Sequence, residues 1–248
     1  MKLSLKTANL ILSATMLGAT LSTPALANTT NQVNTSTEGT MADLVKSING
    51  NIVTFKDNTQ LIQKDGYYIT KDNKGNDEYK IYKDDKGIVK YENLKTSEIK
   101  SANIESESYV ESKEEQQKTD EILNQNQEKS TVAYASPPKG SVNGYTYNRT
   151  VKNSTDIQVA NASLAAGLIA TAIGGKVTGA LVSIGSYYVG NKIKKAYWKE
   201  RYYSKRLSKS QLSIKVQYNF YKYHDYTHYI KTVTKYQTCQ PYGCSPLK

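Results

Sequence analysis

From residue 51 to residue 93, short β-prone runs alternate with turn residues. The runs cover 51–55, 60–63, 67–70, 78–82 and 88–91; the gaps hold Lys56, Asp57 and Asn58, then Lys64, Asp65 and Gly66, then Asp72 to Gly75, then Asp84 to Gly87. That punctuation predicts a small antiparallel β-meander. Toward the C-terminus Leu212, Ile214, Val216, Tyr218 and Phe220 alternate with Ser213, Lys215, Gln217, Asn219 and Tyr221. A period of two marks a half-buried strand. With a second strand over about 226–237 and a turn at Tyr223, His224 and Asp225, a long Tyr-rich β-hairpin is expected over 211–238. One of its faces packs on the helical segment before it, and the other shows Tyr and Lys to solvent.

That preceding segment is unlike anything else in the chain. From Ile157 to Asn191 the only formal charge is Lys176, in a run made mostly of Ala, Gly, Ile, Leu, Val and Ser. Ser163, Gly167, Thr171, Gly175, Gly179 and Ser183 recur every four residues, and Ala162, Ala166, Ala170 and Gly174 form a second row beside them. Residues four apart share a helix face, so an apolar helix over 157–190 carries a seam where another backbone approaches closely. Gly175 and Gly179 make the small-xxx-small element that packs helices in lipid. Each glycine costs a soluble helix about 0.8–1 kcal/mol against alanine. Close packing is the reason the six between 167 and 190 require. Two arrangements supply it: a segment that enters a membrane, or a helical hairpin bent at Gly174 and Gly175 and buried under the adjacent sheet. Residues 157–175 number 19, just enough to cross a ~30 Å hydrocarbon core, but Gln158 and Asn161 make the transfer borderline. Conditional insertion therefore fits better than permanent residence.

Charge divides the chain. Its 248 residues hold 33 Lys and Arg against 22 Asp and Glu, a net +11. Residues 28–135 have 14 basic and 19 acidic side chains, whereas 136–248 have 17 basic and 3 acidic. The distal half should seek anionic surfaces, and the proximal half has the sign to screen it. Within 96–130, Glu105, Glu111, Glu114, Glu115 and Asp120 sit among Ser, Gln and Asn with little to bury. A flexible acidic linker is expected over 96–140, either a solvated spacer or a pro-segment that neutralises the basic half until cleavage near Pro137 and Pro138. Lys2 and Lys6, the uncharged 8–21 stretch and the small residues Ala25 and Ala27 predict a cleaved secretory signal over 1–27, hence a secreted, extracellular protein. The expected organisation is α+β: the signal, a β-meander region over 28–95, the linker, and a basic membrane-active domain over 141–248. With 21 Tyr, 2 Phe and 1 Trp, and 38% hydrophobic residues, no large apolar core is expected.

The stretch 191–209 mixes charge with rings. Lys192, Lys194, Lys195, Lys199, Arg201, Lys205 and Arg206 are interleaved with Tyr197, Trp198, Tyr202 and Tyr203. This is the composition of an interfacial helix, with rings at the water–bilayer boundary and amines on anionic head groups. Such a mixture also suits nucleic acid, but beside an export signal and without an RNA-binding motif nucleic acid is set aside. Cys239 and Cys244 enclose Pro241 and Gly243 in a ring of six residues, a disulfide of roughly 2 kcal/mol in an exported chain; their spacing does not fit a redox or zinc pair. His224 and His228 have the wrong context for a metalloprotease helix, with Asp225 where the Glu would stand. No nucleophile elbow, phosphate loop or dinucleotide fingerprint is present. No catalytic residue, metal or cofactor is expected.

In its layout the chain resembles the large secreted bacteriocins of Gram-positive bacteria, of the geobacillin type. The resemblance covers residues 130–248 and rests on the Gly/Ala-rich 162–190 segment, the Lys/Tyr stretch to Lys209 and the short β tail. Gly175 and Gly179 are similar to the helix contacts of smaller two-peptide bacteriocins, whose double-glycine leader is missing here. The resemblance implies killing of related bacteria by permeabilising the cytoplasmic membrane, with no turnover. In that reading Lys192 to Lys209 bind anionic bacterial membrane lipids, and the helix inserts and self-associates along its seam. A homo-oligomer in the membrane and an immunity protein are the further partners left open. The alternative is a secreted surface or matrix protein whose basic domain binds anionic cell-wall polymers.

Overall fold

Turn chemistry and alternation build a seven-stranded sheet in strict chain order: β1 (Val45–Asn49), β2 (Ile52–Phe55), β3 (Gln60–Gln63), β4 (Tyr67–Lys71), β5 (Asp77–Lys83), β6 (Val89–Asn93) and β7 (Ile99–Ala102). Asp72 accepts backbone N–H groups from Lys74 and Asn76, and Asp84 does the same for Lys86 and Ile88, so two of the turns use one device. The five strands expected from sequence coincide with β2 to β6. In this computed structural model the described residues are 44–127, 144–157, 161–174 and 178–247, all within one compact unit. The secretory signal, the Pro137–Pro138 segment, and Gly175 with Lys176 lie outside them.

The chain then passes through β8 (Ile104–Tyr109), α1 (Lys113–Gln127), β9 (Thr146–Asp156), α2 (Ala162–Ile173), α3 (Gly179–Gly190), β10 (Lys195–Arg206), β11 (Leu212–Tyr221), β12 (Tyr229–Gln240) and β13 (Gly243–Cys244). The strands of this half form a second antiparallel sheet of order β13-β12-β11-β10-β9-β8. The architecture is mixed α+β, mostly antiparallel strands with three helices.

The apolar segment is a helical hairpin, α2 and α3, packed between the sheets. Asn161 caps α2 by accepting the Leu164 N–H at 2.9 Å, and Gly174 ends it with a φ of +67, a value L side chains rarely adopt. α2 packs on β3 to β6, while α3 meets β1 and β12. Every residue of α2 except Ala172 is buried. A helix apolar all round is stable only when covered all round, and two sheets provide that cover. The expectation of no large apolar core therefore fails: Phe55, Leu61 and Ile81 of the first sheet, the hairpin, and Trp198, Val216 and Phe220 of the second belong to one cluster. Alanine and leucine in the hairpin supply the surface that the Tyr-rich strands lack.

Two further expectations are corrected. Residues 191–209 are not a helix: β10 occupies most of them, paired with β9 on one side and β11 on the other. Ala196 and Trp198 are buried on one side, and Lys195, Tyr197 and Lys199 alternate to the other. Nor is 96–140 a flexible linker throughout, since β7, β8 and α1 run through 99–127. α1 starts with a reciprocal capping box in which the Glu115 N–H donates to Ser112 Oγ and the Ser112 N–H to Glu115 Oε2 at 2.9 Å. The C-terminal hairpin is present as β11 and β12, with the expected turn, and it lies inside the six-stranded second sheet.

Candidate functional site

Two regions carry the residues singled out from sequence. The first is the small-residue seam. Ser163 Oγ donates to the Asn161 side chain, Thr171 Oγ1 to the Gly167 carbonyl at 2.8 Å, and Ser183 Oγ to the Ala180 carbonyl at 2.8 Å. A Cβ on Gly167 would collide with Ile81 Cδ1 and lie 3.1 Å from Leu61 Cδ1; one on Gly179 would lie 3.3 Å from Ile48 Cδ1. In this form the seam thus receives isoleucine and leucine side chains of the first sheet. Helix meets helix at Gly185, whose Cβ would sit 2.7 Å from the Ala166 backbone nitrogen. Ala166 belongs to the second row of small residues, whereas Gly185 lies in neither row, so the close approach of α2 and α3 falls outside the expected seam.

Lysines from both sheets close the C-terminal end of α2, which has no basic residue in its own last turn. Lys83 Nζ of β5 donates to the Ala172 carbonyl at 3.0 Å, and Lys235 Nζ of β12 to the Ile173 carbonyl at 3.4 Å. Both meet carbonyls that a helix end leaves unpaired, at the negative end of its dipole. Burial pushes Lys235 down to about 8, with the like charge of Lys83 adding to the effect. Lys83 is lowered by burial too, against the opposing charge of Glu200. Glu200 accepts from Trp198 Nε1 at 3.0 Å and from the Tyr202 hydroxyl at 2.6 Å.

The second region is the outer face of the second sheet. Of the residues assigned to lipid binding, alternation along β10 turns Lys195, Tyr197, Lys199 and Arg201 to this face. Trp198 goes to the other, where it is 1% exposed and stacked on Phe220 with ring centroids 6.1 Å apart. Lys192 and Lys194 lie in the turn before β10, Lys205 is partly buried near its end, and Arg206 is exposed. Register adds residues no linear pattern grouped with them. Lys152 of β9 stands directly opposite Lys199, and Lys215 of β11 opposite Tyr203. The ammonium groups lean on tyrosine rings: Lys215 at 4.0 Å from the Tyr203 centroid, Lys152 at 4.5 Å from Tyr109 and Lys199 at 5.8 Å from Tyr221. Burial lowers the Lys199 and Lys215 pKa values; for Lys199 the Glu111 charge opposes this and the Lys152 charge adds to it.

Arg201, 0% exposed, is the centre of this face. Its Nε lies 3.1 Å from Glu111 Oε2, an ion pair whose angle falls short of a hydrogen bond, and its Nη1 donates to Asp120 at 2.6 Å. Glu111 is itself buried and accepts from Thr150 Oγ1 at 2.8 Å. Asp120 lies on α1, so this acidic helix rests over the cationic face. Glu105 of β8 pairs with Lys195 at 2.6 Å. Beside the face an open cleft of about 500 Å³ is lined by Lys152, Lys195, Tyr197, His224 and Tyr226, among others.

Cys239 and Cys244 form a disulfide that ties β12 to β13. Among the described residues no cluster of three or more His, Cys, Asp or Glu could hold a metal ion. None of the helices described is long and apolar enough to cross a membrane. No family profile, curated protein or solved structure matches this chain.

Proposed function

We propose that this is a secreted, cationic antibacterial protein of the bacteriocin type, which permeabilises target membranes by releasing the α2–α3 hairpin from between its sheets. The observation that carries the reading is the hairpin itself. It is free of charge within both helices, with every residue of α2 but Ala172 and eight of the twelve residues of α3 buried, where an ordinary domain would use a helix with one polar face. Each helix has 12 residues, about 18 Å at 1.5 Å per residue, well short of a ~30 Å hydrocarbon core. As one continuous helix residues 162–190 would reach about 43 Å, enough to span, with Lys176 as the one charge inside it. The two lysine-to-carbonyl bonds at the end of α2 then hold the stored form closed. Its net charge of +11 favours anionic membranes.

Dye release from anionic vesicles by residues 28–248 tests this. Release that weakens in neutral vesicles is the expected result, and folded protein that releases no dye at any ratio overturns it. The alternative, a surface protein bound to anionic wall polymers, is favoured by the cation-rich outer face of the second sheet. It predicts salt-sensitive binding to purified wall material with no dye release.

A further inference from the structure

In the middle of the outer face of the second sheet two cations, Lys199 and Lys215, have no carboxylate directly opposite them on either neighbouring strand. Four cations meet there from three strands: Lys152, Lys199, Arg201 and Lys215. The two carboxylates that reach the middle of the face, Glu111 and Asp120, both pair with Arg201. Lys152, Lys199 and Lys215 make no ion pair among the described residues and have tyrosine rings as neighbours instead. Lys152 stands between Glu107 of β8 and Lys199 of β10, so Lys199 meets a like charge on one side, which disfavours the pairing, and no carboxylate on the other. An anionic partner would relieve it.

The present cover is slight. Of the α1 side chains described, Leu123 alone is buried, while Glu114, Glu115 and Glu121 face solvent. α1 is held to β10 by Asp120 and by a 3.5 Å contact from Arg201 Nη2 to the Gln116 carbonyl. We infer that α1 is a displaceable cover, and that the face beneath it binds a linear phosphate-bearing polymer of the polyol-phosphate kind found outside a cell membrane. The cations form a fixed array, so successive phosphates of one chain engage together and gain effective concentration. Tyr203 and Tyr221 are packed edge-on against Tyr147 and Tyr229, while Tyr109, Tyr197 and Tyr226 are half-buried beside the lysines, so single-stranded nucleic acid, which stacks on such rings, is the competitor the experiment includes. The hairpin lies behind the opposite side of the same sheet, so a bilayer docked here would be separated from it. A polymer leaves that side unobstructed. This inference rests on the wall-polymer reading above and names the site and the polymer class for it.

The experiment measures binding of poly(glycerol phosphate) to the full secreted chain at 0.15 M salt. Thr119→Pro breaks α1 without changing charge, and amide exchange over 113–127 reports its opening. Affinity is expected to rise by about tenfold. Adding Lys199→Gln and Lys215→Gln should remove at least that gain, whereas adding Lys64→Gln and Lys74→Gln, on exposed turns of the first sheet, should leave it. An opened α1 with unchanged affinity overturns the inference, as does equal loss from both lysine pairs. Tighter binding to single-stranded DNA or to anionic vesicles than to the polymer overturns the partner class. Should Thr119→Pro fail to fold, Asp120→Asn removes the charged contact of α1 to Arg201 and leaves the Glu111 pair in place; a gain of the same sign, removed by the Lys199 and Lys215 changes, upholds the inference, and no gain overturns it.

Discussion

The two faces of the second sheet are made by the same strands and are held in opposite ways. Toward the hairpin, Trp198, Val216, Phe220 and Val233 bury apolar area, and the one carboxylate of β10, Glu200, is spent on the Trp198 and Tyr202 side chains. Facing α1, Tyr197, Lys199, Arg201 and Tyr203 rely on ring–cation contacts and on two carboxylates from the acidic segment. Apolar burial is insensitive to salt and tolerant of pH, whereas ion pairs with exposed partners are screened. A single strand thereby couples a rigid inner layer to an outer layer that responds to its surroundings.

The sharpest break in that comparison is steric. Gly185→Leu drives a side chain into the Ala166 backbone, and a loss of about 3 kcal/mol or more is expected, read as collapse of the thermal transition. Next comes a pair of neighbours. Trp198→Ala should cost about 3–5 kcal/mol, but Lys199→Ala, one residue along and on the other face, under about 1 kcal/mol; equal costs in urea melts would erase the distinction between faces. On the outer side, Arg201→Met strands the buried Glu111 and should cost about 3–5 kcal/mol. The double change with Glu111→Met should recover most of it.

A smaller effect follows from pH. Lys235 titrates at about 8 in the fold against about 10.4 in an unfolded chain. Below pH 8 the folded state carries the buried ammonium; between about 8 and 10.4 it gives up its proton before the unfolded chain does, so stability rises with pH across that window. The ceiling is about 3 kcal/mol. Above pH 10 the tyrosines Tyr188 and Tyr218, whose pKa values burial raises, act with the opposite sign because the unfolded chain ionises first. Urea midpoints from pH 7 to 9.5 should climb, and Lys235→Met should flatten the climb. Smallest of all, Cys239→Ser should cost about 2 kcal/mol or less, because the ring it opens is a short one at the sheet edge.

How far the fold was legible in sequence depended on whether local pattern and tertiary role agreed. β2 to β6 were readable because each gap carries its own turn chemistry, as at Asp72 and Asp84. The bend after Gly174 was readable as one of two options. β10 was not, since Glu200 sits on the inner face as a partner for Trp198 and Tyr202, which breaks the apolar alternation that signals a strand. α1 has no apolar stripe at all; its anchor is an arginine 81 residues away along the chain. Its one local sign was the Ser112 and Glu115 capping box. The cationic face was invisible for a different reason, as Lys152, Lys199 and Lys215 become neighbours only through strand register.

In both sheets the spatial order of strands repeats their order along the chain. Loops between paired strands are short, except where β8 reaches β9 across α1 and where β9 reaches β10 across the helical hairpin. Contact order is therefore low for a protein so rich in strands, and the first sheet can zip up from one hairpin to the next at little cost in loop entropy. Joining β9 to β10 is the step expected to be slow, because it closes the loop that holds both helices. Changes at Ala196 or Thr155, which face each other across that junction, should retard folding, and so should changes in the first sheet's turns, which that order forms beforehand.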